Sequence, residues 1–200
     1  MENVVGTQYN DRIVGNDGPN NVYDRGGGDD VVYGRGGDDY FSLGDGNIYA
    51  NGGPGNDFIF TYDGDDSVQG GPGDDVINTH LGDDFVDGGP GSDLLGFHCC
   101  VGGVEVNMLE GRASGNGRDR FRNIEIIGGT YANDTLTGDN NDNVLLGVLG
   151  DDILSGGGGD DQLLGGEQAD ELDGGDGEDY CDGGNGADTA VNCESVFGVP

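Results

Sequence analysis

Basic residues are scarce in this chain of 200 residues: 7 Lys and Arg stand against 40 Asp and Glu, which gives a net charge of −33. A surface this acidic repels other polyanions, so we expect neither nucleic acid nor an anionic membrane among its partners. The hydrophobic stretches are short, which excludes a transmembrane helix and predicts no membrane insertion. No apolar segment follows Met1, so we expect that any cleaved export signal has already been removed.

Histidine is also rare, which argues against catalysis. Only His80 and His98 are present, and the sequence has no Cys/His spacing typical of zinc, no nucleophile elbow and no zinc-protease motif. The run His98-Cys99-Cys100 suggests such chemistry, but it has no second cluster at a suitable spacing. We therefore predict that the chain is not an enzyme and has no catalytic residues.

Proline is limited to 5 residues while glycine reaches 46, and there is no collagen triplet. The glycines recur at fixed intervals instead. Segments 52–60, 70–78 and 88–96 each begin Gly-Gly-Pro-Gly, and the segments between them, 61–69 and 79–87, are looser copies, so the basic repeat is a nonapeptide. The repeat has glycine at positions 1, 2 and 4, aspartate at position 6 and an apolar residue at position 8, a pattern typical of calcium-binding parallel β-helices.

Seventeen repeats keep this phase in two arrays. The first array comprises 6–14, 15–23, 25–33, 34–42, 43–51, 52–60, 61–69, 70–78, 79–87 and 88–96, with one extra residue at Asp24. The second comprises 129–137, 138–146, 147–155, 156–164, 165–173, 174–182 and 183–191. The sequence thus predicts an N-terminal array over 6–96, a bridging segment over 97–128, a C-terminal array over 129–191 and a cap over 192–200.

Each repeat is a tight turn followed by a strand of three residues, with position 8 pointing inward. One inward residue in nine cannot bury a core alone, so two repeats must form an 18-residue coil whose inward side chains stack into two facing ladders. This core is thin, and much of the stability must come from elsewhere. The predicted inward residues are Ile13, Val22, Val32, Phe41, Ala50, Ile59, Val68, Ile77, Val86, Leu95, Leu136, Leu145, Leu154, Leu163 and Leu172.

The aspartates at position 6 offer the missing stabilisation, because calcium prefers about six to eight oxygen ligands and glycine turns expose backbone carbonyls. Carboxylates on adjacent coils are two repeats apart in sequence, which predicts roughly eight calcium ions. Ions in that number would offset about half of the negative charge, and without them the stacked carboxylates should keep the coil open. The candidate pairs are Asp39/Asp57, Asp57/Asp75, Asp75/Asp93, Asp66/Asp84, Asp134/Asp152, Asp152/Asp170, Asp161/Asp179 and Asp170/Asp188.

Some repeats depart from the pattern. Ile48 replaces the position-6 aspartate, so we expect the sites that link it to Asp30 and Asp66 to be missing. Asp30 is also a candidate ligand, but the extra Asp24 lengthens its interval from Asp11 beyond that of a regular coil, and we expect distortion there. Asn20 and Asn143 should weaken the sites shared with Asp39 and Asp161, and Gln168 in place of glycine puts both sites of Asp170 in doubt.

These motifs closely resemble the RTX, or hemolysin-type calcium-binding repeat, family over nearly the whole chain. Segments 104–108, 115–121 and 123–125 resemble the stretch that bridges such arrays, and 181–194 resembles the end of secreted actinobacterial members. The resemblance implies an all-β fold, a right-handed parallel β-roll with calcium between successive turns. It also implies carbonyl ligands at positions 2 and 4 of one turn and at positions 1 and 3 of the next, together with the aspartates of both turns. One such set is Gly53, Gly55 and Asp57 with Gly70, Pro72 and Asp75. The next is Gly71, Gly73 and Asp75 with Gly88, Pro90 and Asp93.

The four cysteines form an even set. Cys181 occupies an inward position 8, and Cys193 follows it in the C-terminal cap, so we predict a disulfide that closes the C-terminal end of the roll; two free buried thiols are the alternative. Whether Cys99 and Cys100 pair is left open by the sequence. Disulfide-permissive chemistry and millimolar calcium both indicate an extracellular location, either secreted or at the cell surface.

Position 7 should face outward, and one column of it reads Tyr40, Phe58, Val76, Leu94. This column indicates either ordinary β-propensity or a contact face for a glycan or a protein. The predicted function is calcium binding by a secreted repeat module that folds on the ion and has a structural or interaction role. The alternatives are an accessory glycan-binding module of an extracellular polysaccharide-active enzyme, or an adhesin segment.

Overall fold

The computed structural model describes residues 2–24, 26–97, 102–115 and 117–199, and these residues form 23 β-strands and no helix. Their contacts define two compact units: Met1–Leu95 with Gly117–Ile124, and Gly96–Asn116 with Glu125–Pro200. The boundaries predicted from repeat phase, at 96/97, 128/129 and 191/192, stay predictions. The strands are numbered below in chain order.

In the first unit, successive strands alternate between two sheets, so that each coil contributes one strand to each sheet. The first sheet contains, in spatial order, β1 (Glu2–Val5), β3 (Asn20–Tyr23), β5 (Tyr40–Ser42), β7 (Phe58–Phe60), β9 (Val76–Asn78) and β11 (Leu94–Gly96). The second contains β2 (Arg12–Val14), β4 (Val31–Tyr33), β6 (Tyr49–Asn51), β8 (Ser67–Gln69), β10 (Phe85–Asp87) and β14 (Arg118–Arg122).

The second unit repeats this alternation, and five of its strands are six residues long. One sheet contains β15 (Ile126–Gly128), β17 (Val144–Leu149), β19 (Gln162–Glu167), β21 (Tyr180–Asn185) and β23 (Ser195–Phe197). The other contains β13 (Arg112–Ser114), β12 (Glu105–Asn107), β16 (Thr135–Thr137), β18 (Ile153–Gly158), β20 (Glu171–Asp176) and β22 (Thr189–Val191). Strands β12 and β13 pair antiparallel, whereas β12 and β16 pair parallel.

The coil of two repeats predicted from the sequence sets the strand register. Tyr40 pairs with Phe58 and Phe41 pairs with Ile59, both in parallel strands. All fifteen predicted inward residues are buried, and they form the core of each unit. The predicted all-β parallel β-roll is therefore confirmed, with one of the predicted inward side chains in each of fifteen strands.

The segment between the two arrays also supplies a strand to the first unit. Strand β14 pairs parallel with β10, with Arg120 opposite Phe85 and Phe121 opposite Val86. Phe121 is buried, as a position-8 residue would be. Residues of the bridging segment, which do not continue the nine-residue repeat, thus provide the last strand of the second sheet in this unit.

The left-handed turn conformation is kept at three positions where glycine is absent. Gly53 and Gly71 have φ values of 103° and 121°, in the left-handed region that suits glycine. Arg35, Val148 and Gln168 occupy positions 2 or 4 of their repeats and have φ values of 85°, 84° and 84°. At these three positions the turn keeps a conformation that non-glycine residues rarely adopt, including at the β-branched Val148.

Candidate metal centres

The position-6 aspartates are almost completely buried, and their carboxylates bond adjacent coils together. The backbone N–H of Asp39 donates to Asp57 Oδ1 (2.8 Å), and that of Asp57 donates to Asp75 Oδ1 (2.8 Å). All eight predicted pairs are brought together by this bond. The remaining six are Asp75/Asp93, Asp66/Asp84, Asp134/Asp152, Asp152/Asp170, Asp161/Asp179 and Asp170/Asp188, with distances of 2.8–2.9 Å.

The second carboxylate oxygen has a different environment. In most of these aspartates, Oδ2 is buried and has no hydrogen-bond partner among the described residues. Leaving a buried carboxylate oxygen without a partner is costly, so its repetition in successive coils indicates a ligand. This holds for Asp30, Asp39, Asp57, Asp75, Asp152, Asp161, Asp170, Asp179 and Asp188.

Each of these oxygens in the regular turns faces a glycine at position 1 of its own repeat. A Cβ added to Gly52 would collide with Asp57 Oδ2 and would lie 2.8 Å from the carbonyl oxygen of Gly70 on the next coil. A Cβ on Gly70 would collide with Asp75 Oδ2 in the same way. The turn therefore leaves a cradle between a carboxylate oxygen and a backbone carbonyl that only glycine permits.

The carbonyls predicted as ligands lie between adjacent turns, and those of the later turn accept hydrogen bonds from the earlier one. The N–H of Gly53 donates to the Gly70 carbonyl (2.9 Å), and that of Gly55 donates to the Pro72 carbonyl (2.9 Å), so both acceptors point back toward the earlier turn. The carbonyls of Gly53 and Gly55 point forward, against the α-carbons of Gly71 and Gly73. The following pair of turns is arranged alike, with Gly71 donating to Gly88 (2.8 Å) and Gly73 to Pro90 (3.0 Å).

Burial raises the pKa of these carboxyls, and neighbouring carboxylates add to the increase. The pKa of Asp57 rises to about 7 because burial disfavours the charged form; the N–H bond from Asp39 lowers it only in part, and the charge of Asp39 raises it further. Burial similarly raises the pKa to about 7 for Asp66, Asp75 and Asp152 and to about 6 for Asp84, Asp161 and Asp170, and it raises that of Asp39. A bound cation would favour the charged forms and reverse this shift.

The donors present fit a hard cation. Among the described residues, no three His, Cys, Asp or Glu side chains converge as a metal-binding group. A cation between two turns would therefore depend on carboxylates from position 6 and on backbone carbonyls, an all-oxygen set that suits calcium. The residues fit calcium in the regular turns, where the bound ion would supply the positive charge that the paired carboxylates lack.

The two edges of the first unit differ in their turns. The glycine edge comprises the turns that begin at Gly15, Gly34, Gly52, Gly70 and Gly88, and it leads into the first sheet. The mixed edge comprises those that begin at Gly6, Asp24, Leu43, Thr61 and Thr79, and it leads into the second sheet. Leu43 and Ile48 are fully buried in one mixed-edge turn, where an apolar pair replaces glycine and aspartate.

Threonine replaces glycine in two mixed-edge turns that the sequence assigned to calcium. Thr61 and Thr79 are fully buried at position 1 of the turns that carry Asp66 and Asp84. Burial raises the pKa of Asp66 to about 7, and the hydroxyl of Thr61 offsets part of that increase by favouring the charged form. Asp66 N–H donates to the Asp84 carboxylate, so this predicted pair is brought together. Their turns, however, lack the glycine at position 1 that faces the carboxylate in the regular turns.

The repeats that lack the position-6 aspartate or the regular spacing keep the hydrogen bond that joins position 6 of adjacent coils. Asn20 and Asn143 are buried at position 6, and Asn143 N–H donates to Asp161 Oδ1 (2.8 Å). The Asn20 amide Nδ2 donates to Asp39 Oδ1 (2.8 Å). Asp11 N–H donates to Asp30 Oδ1 (2.7 Å), so the longer interval preserves the contact between these two repeats.

The sequence missed two acidic residues that take the place of a position-6 aspartate. Asp119 in β14 is buried, its Oδ1 accepts from Asp84 N–H (3.1 Å), and burial raises its pKa to about 7. Glu194 Oε2 accepts from Asp179 N–H (2.8 Å) at the end of the second unit. The signal for Asp119 was present, since Gly117, Asp119 and Phe121 reproduce positions 4, 6 and 8 of the repeat.

A second column of acidic and amide side chains, at position 5, has a structural role. Asp38 Oδ1 accepts from Asn56 N–H (3.0 Å), and Asn56 Oδ1 accepts from Asp74 N–H (3.1 Å) on the next coil. These bonds lie at the surface, and asparagine serves as well as aspartate. Many of the acidic residues are therefore turn-stacking acceptors that need no charge.

The predicted disulfide between Cys181 and Cys193 is confirmed, with the two Cα atoms 6.0 Å apart and Cys181 fully buried in the core. It links β21 to the segment just before β23. The predictions on His98, Cys99 and Cys100 concern positions outside the described residues. None of the described segments is a helix with the length and hydrophobicity to cross a bilayer.

A parallel β-roll with a buried carboxylate and a glycine turn in most of its repeats defines a calcium-binding repeat module. The sequence matches the family of the RTX calcium-binding nonapeptide repeat (4 copies) over residues 5–27, 20–47, 49–77, 60–95, 128–163 and 155–190. Because these matches cover most of the chain, it belongs to this family, whose repeats bind calcium and whose β-roll is a non-catalytic module. No curated protein matches the chain.

Proposed function

We propose that this chain is a secreted or cell-surface module that folds when calcium binds and then serves a structural or interaction role. The observation that supports it is the column of buried aspartates whose second oxygen faces a glycine cradle. Most repeats bury one apolar side chain at position 8, which is a thin core for a chain with a net charge of −33. Calcium would neutralise the column at the places where folding brings the carboxylates together.

We assign the most complete ligand sets to the glycine edge. One comprises the carbonyls of Gly53, Gly55, Gly70 and Pro72 with the carboxylates of Asp57 and Asp75. The next comprises the carbonyls of Gly71, Gly73, Gly88 and Pro90 with Asp75 and Asp93. The other predicted pairs give a total of roughly eight ions, since each supplies carboxylates and turn carbonyls of the hard-oxygen type that calcium prefers.

An extracellular location follows from the same chemistry. The Cys181–Cys193 disulfide is of a kind that forms and persists in oxidising compartments. Extracellular calcium sites operate at roughly 10⁻⁴–10⁻³ M, which would keep such a module unfolded in the cytosol and folded outside it. We further propose that the chain itself is not an enzyme.

The direct test is a calcium titration of the chelator-treated chain at neutral pH. We expect the far-UV circular dichroism of a β-sheet to develop as calcium is added, and native mass spectrometry of the same samples to show several bound calcium ions. Magnesium at equal concentration is the control, since it prefers a tighter octahedral site and retains its water. Calcium ions bound with no change in sheet content would contradict coupled folding.

A second candidate function, binding of a neutral glycan, is favoured by the outer face of the first sheet. Tyr40 and Phe58 are 36% and 47% exposed, and the Tyr40 ring lies 5.7 Å from that of Tyr23 and 5.9 Å from that of Phe60. Exposed aromatic rows can bind sugars through their flat faces, whereas the acidic surface disfavours an anionic glycan. We predict that Phe58→Glu abolishes glycan binding on an array without changing calcium affinity; an unchanged array would exclude this face.

A further inference from the structure

Asp24 is the extra residue between two nine-residue repeats, and it lies in one turn of the mixed edge. Its N–H donates to the Ser42 carbonyl (2.8 Å), just as Gly6 N–H donates to Tyr23 and Leu43 N–H donates to Phe60. Asp24 therefore stands at the first position of its turn, where the regular turns have glycine. The turn that contains Asp30 consequently has a carboxylate at both its first position and its last.

The Asp24 and Asp30 side chains are only 2% and 1% exposed. One oxygen of each is satisfied: Gly26 N–H donates to Asp24 Oδ1 (3.2 Å), and Asp11 N–H donates to Asp30 Oδ1 (2.7 Å). The Oδ2 atoms of both are buried and accept no hydrogen bond from an N–H or hydroxyl group of the described residues, and the two carboxyl groups lie within hydrogen-bonding reach of each other. In a regular turn the Oδ2 faces a glycine, whereas here the residue at that place is a second carboxylate.

The surroundings of this pair exclude water on one side. Leu43 and Ile48 occupy the equivalent places on the following coil and are fully buried. Two carboxylates in such a setting repel each other strongly, because the local dielectric constant is low. Neither ion pair found among the described residues includes Asp24 or Asp30. Burial, and next its contact with Asp24, raises the pKa of Asp30 to about 6.

Further oxygen donors face this turn from the preceding coil. A Cβ on Gly26 would collide with the Thr7 carbonyl oxygen, and one on Gly28 would lie 3.1 Å from that of Tyr9, so two carbonyls of the preceding coil pack against this turn. The location thus combines two side-chain carboxylates from one turn with backbone carbonyls from its neighbour. Such an all-oxygen set suits a hard divalent cation.

We propose that Asp24 and Asp30 form a calcium site of a different type from the repeat sites, because both carboxylates come from the same turn. The proposal rests on the calcium-dependent function above and adds a ligand that the nine-residue pattern does not contain. It gives the extra residue a role: Asp24 supplies at this turn the charge that the following coil, with Ile48 at position 6, cannot provide.

The test counts calcium ions on the full chain by native mass spectrometry at saturating calcium. We expect Asp24→Asn, which keeps the acceptor for Gly26 N–H, to bind one ion fewer than the wild type. Asp24→Thr, which introduces the residue found at the equivalent Thr61 and Thr79, should lose the same ion. Asp29→Asn is the matched control, because Asp29 is exposed and accepts Asn47 N–H (3.1 Å) at a position where asparagine also occurs.

Circular dichroism in saturating calcium verifies that each variant is folded before ions are counted. An unchanged ion count in either folded Asp24 variant overturns the proposal, and a loss in Asp29→Asn overturns its specificity. A wild type that binds no calcium would instead refute the proposed function. The two failures are therefore distinguishable.

Discussion

The Asp75 carboxylate connects two coils: its Oδ1 accepts a 2.8 Å hydrogen bond from Asp57 N–H, while its Oδ2 is buried against Gly70. One oxygen thus stacks the coils, and the other has no hydrogen-bond partner among the described residues. Position 5 contributes only the stacking function, as Asp74 Oδ1 shows by accepting from Ser92 N–H (3.0 Å) at the surface. This difference separates the acidic residues that need charge from those that do not.

Removing the charge at position 6 should weaken calcium binding while keeping the stacking bond. Asp57→Asn retains an oxygen for Asp39 N–H, and we expect the calcium concentration at the folding midpoint to rise at least about tenfold, as for lost partners at metal sites. Asp74→Asn is the matched control because Asn56 performs the same role one coil earlier. Equal shifts in both variants would show that the two columns do not differ in function.

Acid should act oppositely on the metal-free and the calcium-bound chain. Burial raises the pKa of Asp57 and Asp75 to about 7 from 3.8 in the metal-free chain. A carboxyl whose pKa is raised by folding stabilises the fold when protonated, and this contribution is lost as the pH rises from about 4 through about 7. The chelated chain should therefore show more sheet at pH 5 than at pH 8 by circular dichroism.

Calcium binding should show the reverse dependence, because protons compete with the ion for the same carboxylates. We expect the midpoint calcium concentration to be higher at pH 5 than at pH 8. The same titration at both pH values measures it. A chelated chain with more sheet at pH 8, or a lower calcium midpoint at pH 5, would contradict the assignment of these buried carboxyls.

Val148→Gly should stabilise the second unit. The φ of 84° at Val148 costs a β-branched residue about 1 kcal/mol or more, and glycine removes that cost. The opposite change one coil later, Gly166→Val, should destabilise, since a Cβ there would collide with the Val148 carbonyl. Chemical unfolding in saturating calcium measures both, and a loss of stability in Val148→Gly would show that its side-chain contacts outweigh the strain.

The disulfide should stabilise the C-terminal end of the second unit. Cys193→Ser leaves the buried Cys181 in place, and we expect a loss of about 3 kcal/mol in the chain-entropy account of a loop this size. Hydrogen exchange in this variant should be fastest in β23, which pairs only with β21 and is exposed along its length. Unchanged exchange in β23 would show that the pairing alone fixes this strand.

The sequence was sufficient for the fold because the nine-residue period determines strand, register and burial together. Ile59 is inward for the same reason that Tyr40 pairs with Phe58: both follow from two repeats per coil. The column of buried position-6 carboxylates was equally readable, since Asp57 and Asp75 obey that period. What depends on regular spacing could be predicted.

The residues that sequence reasoning missed are those that complete a coil from outside the period. Asp119 bonds to Asp84 across 35 residues and Glu194 bonds to Asp179 across 15, so neither spacing appears in the repeat. Asp24 was interpreted as an insertion because its role depends on the neighbouring coils. The alternation of regular and looser repeats was visible in the sequence, and the structure shows that the looser ones share the mixed edge.

The most direct test of the central claim is hydrogen exchange of the backbone N–H groups of Asp39 and Asp57, with and without calcium at pH 8. These groups donate to the carboxylates of Asp57 and Asp75 on the following coils. We predict strong protection in calcium and exchange near the unfolded rate in EDTA, together with loss of protection in the strands of both sheets. Equal protection in EDTA and in calcium would contradict calcium-coupled folding.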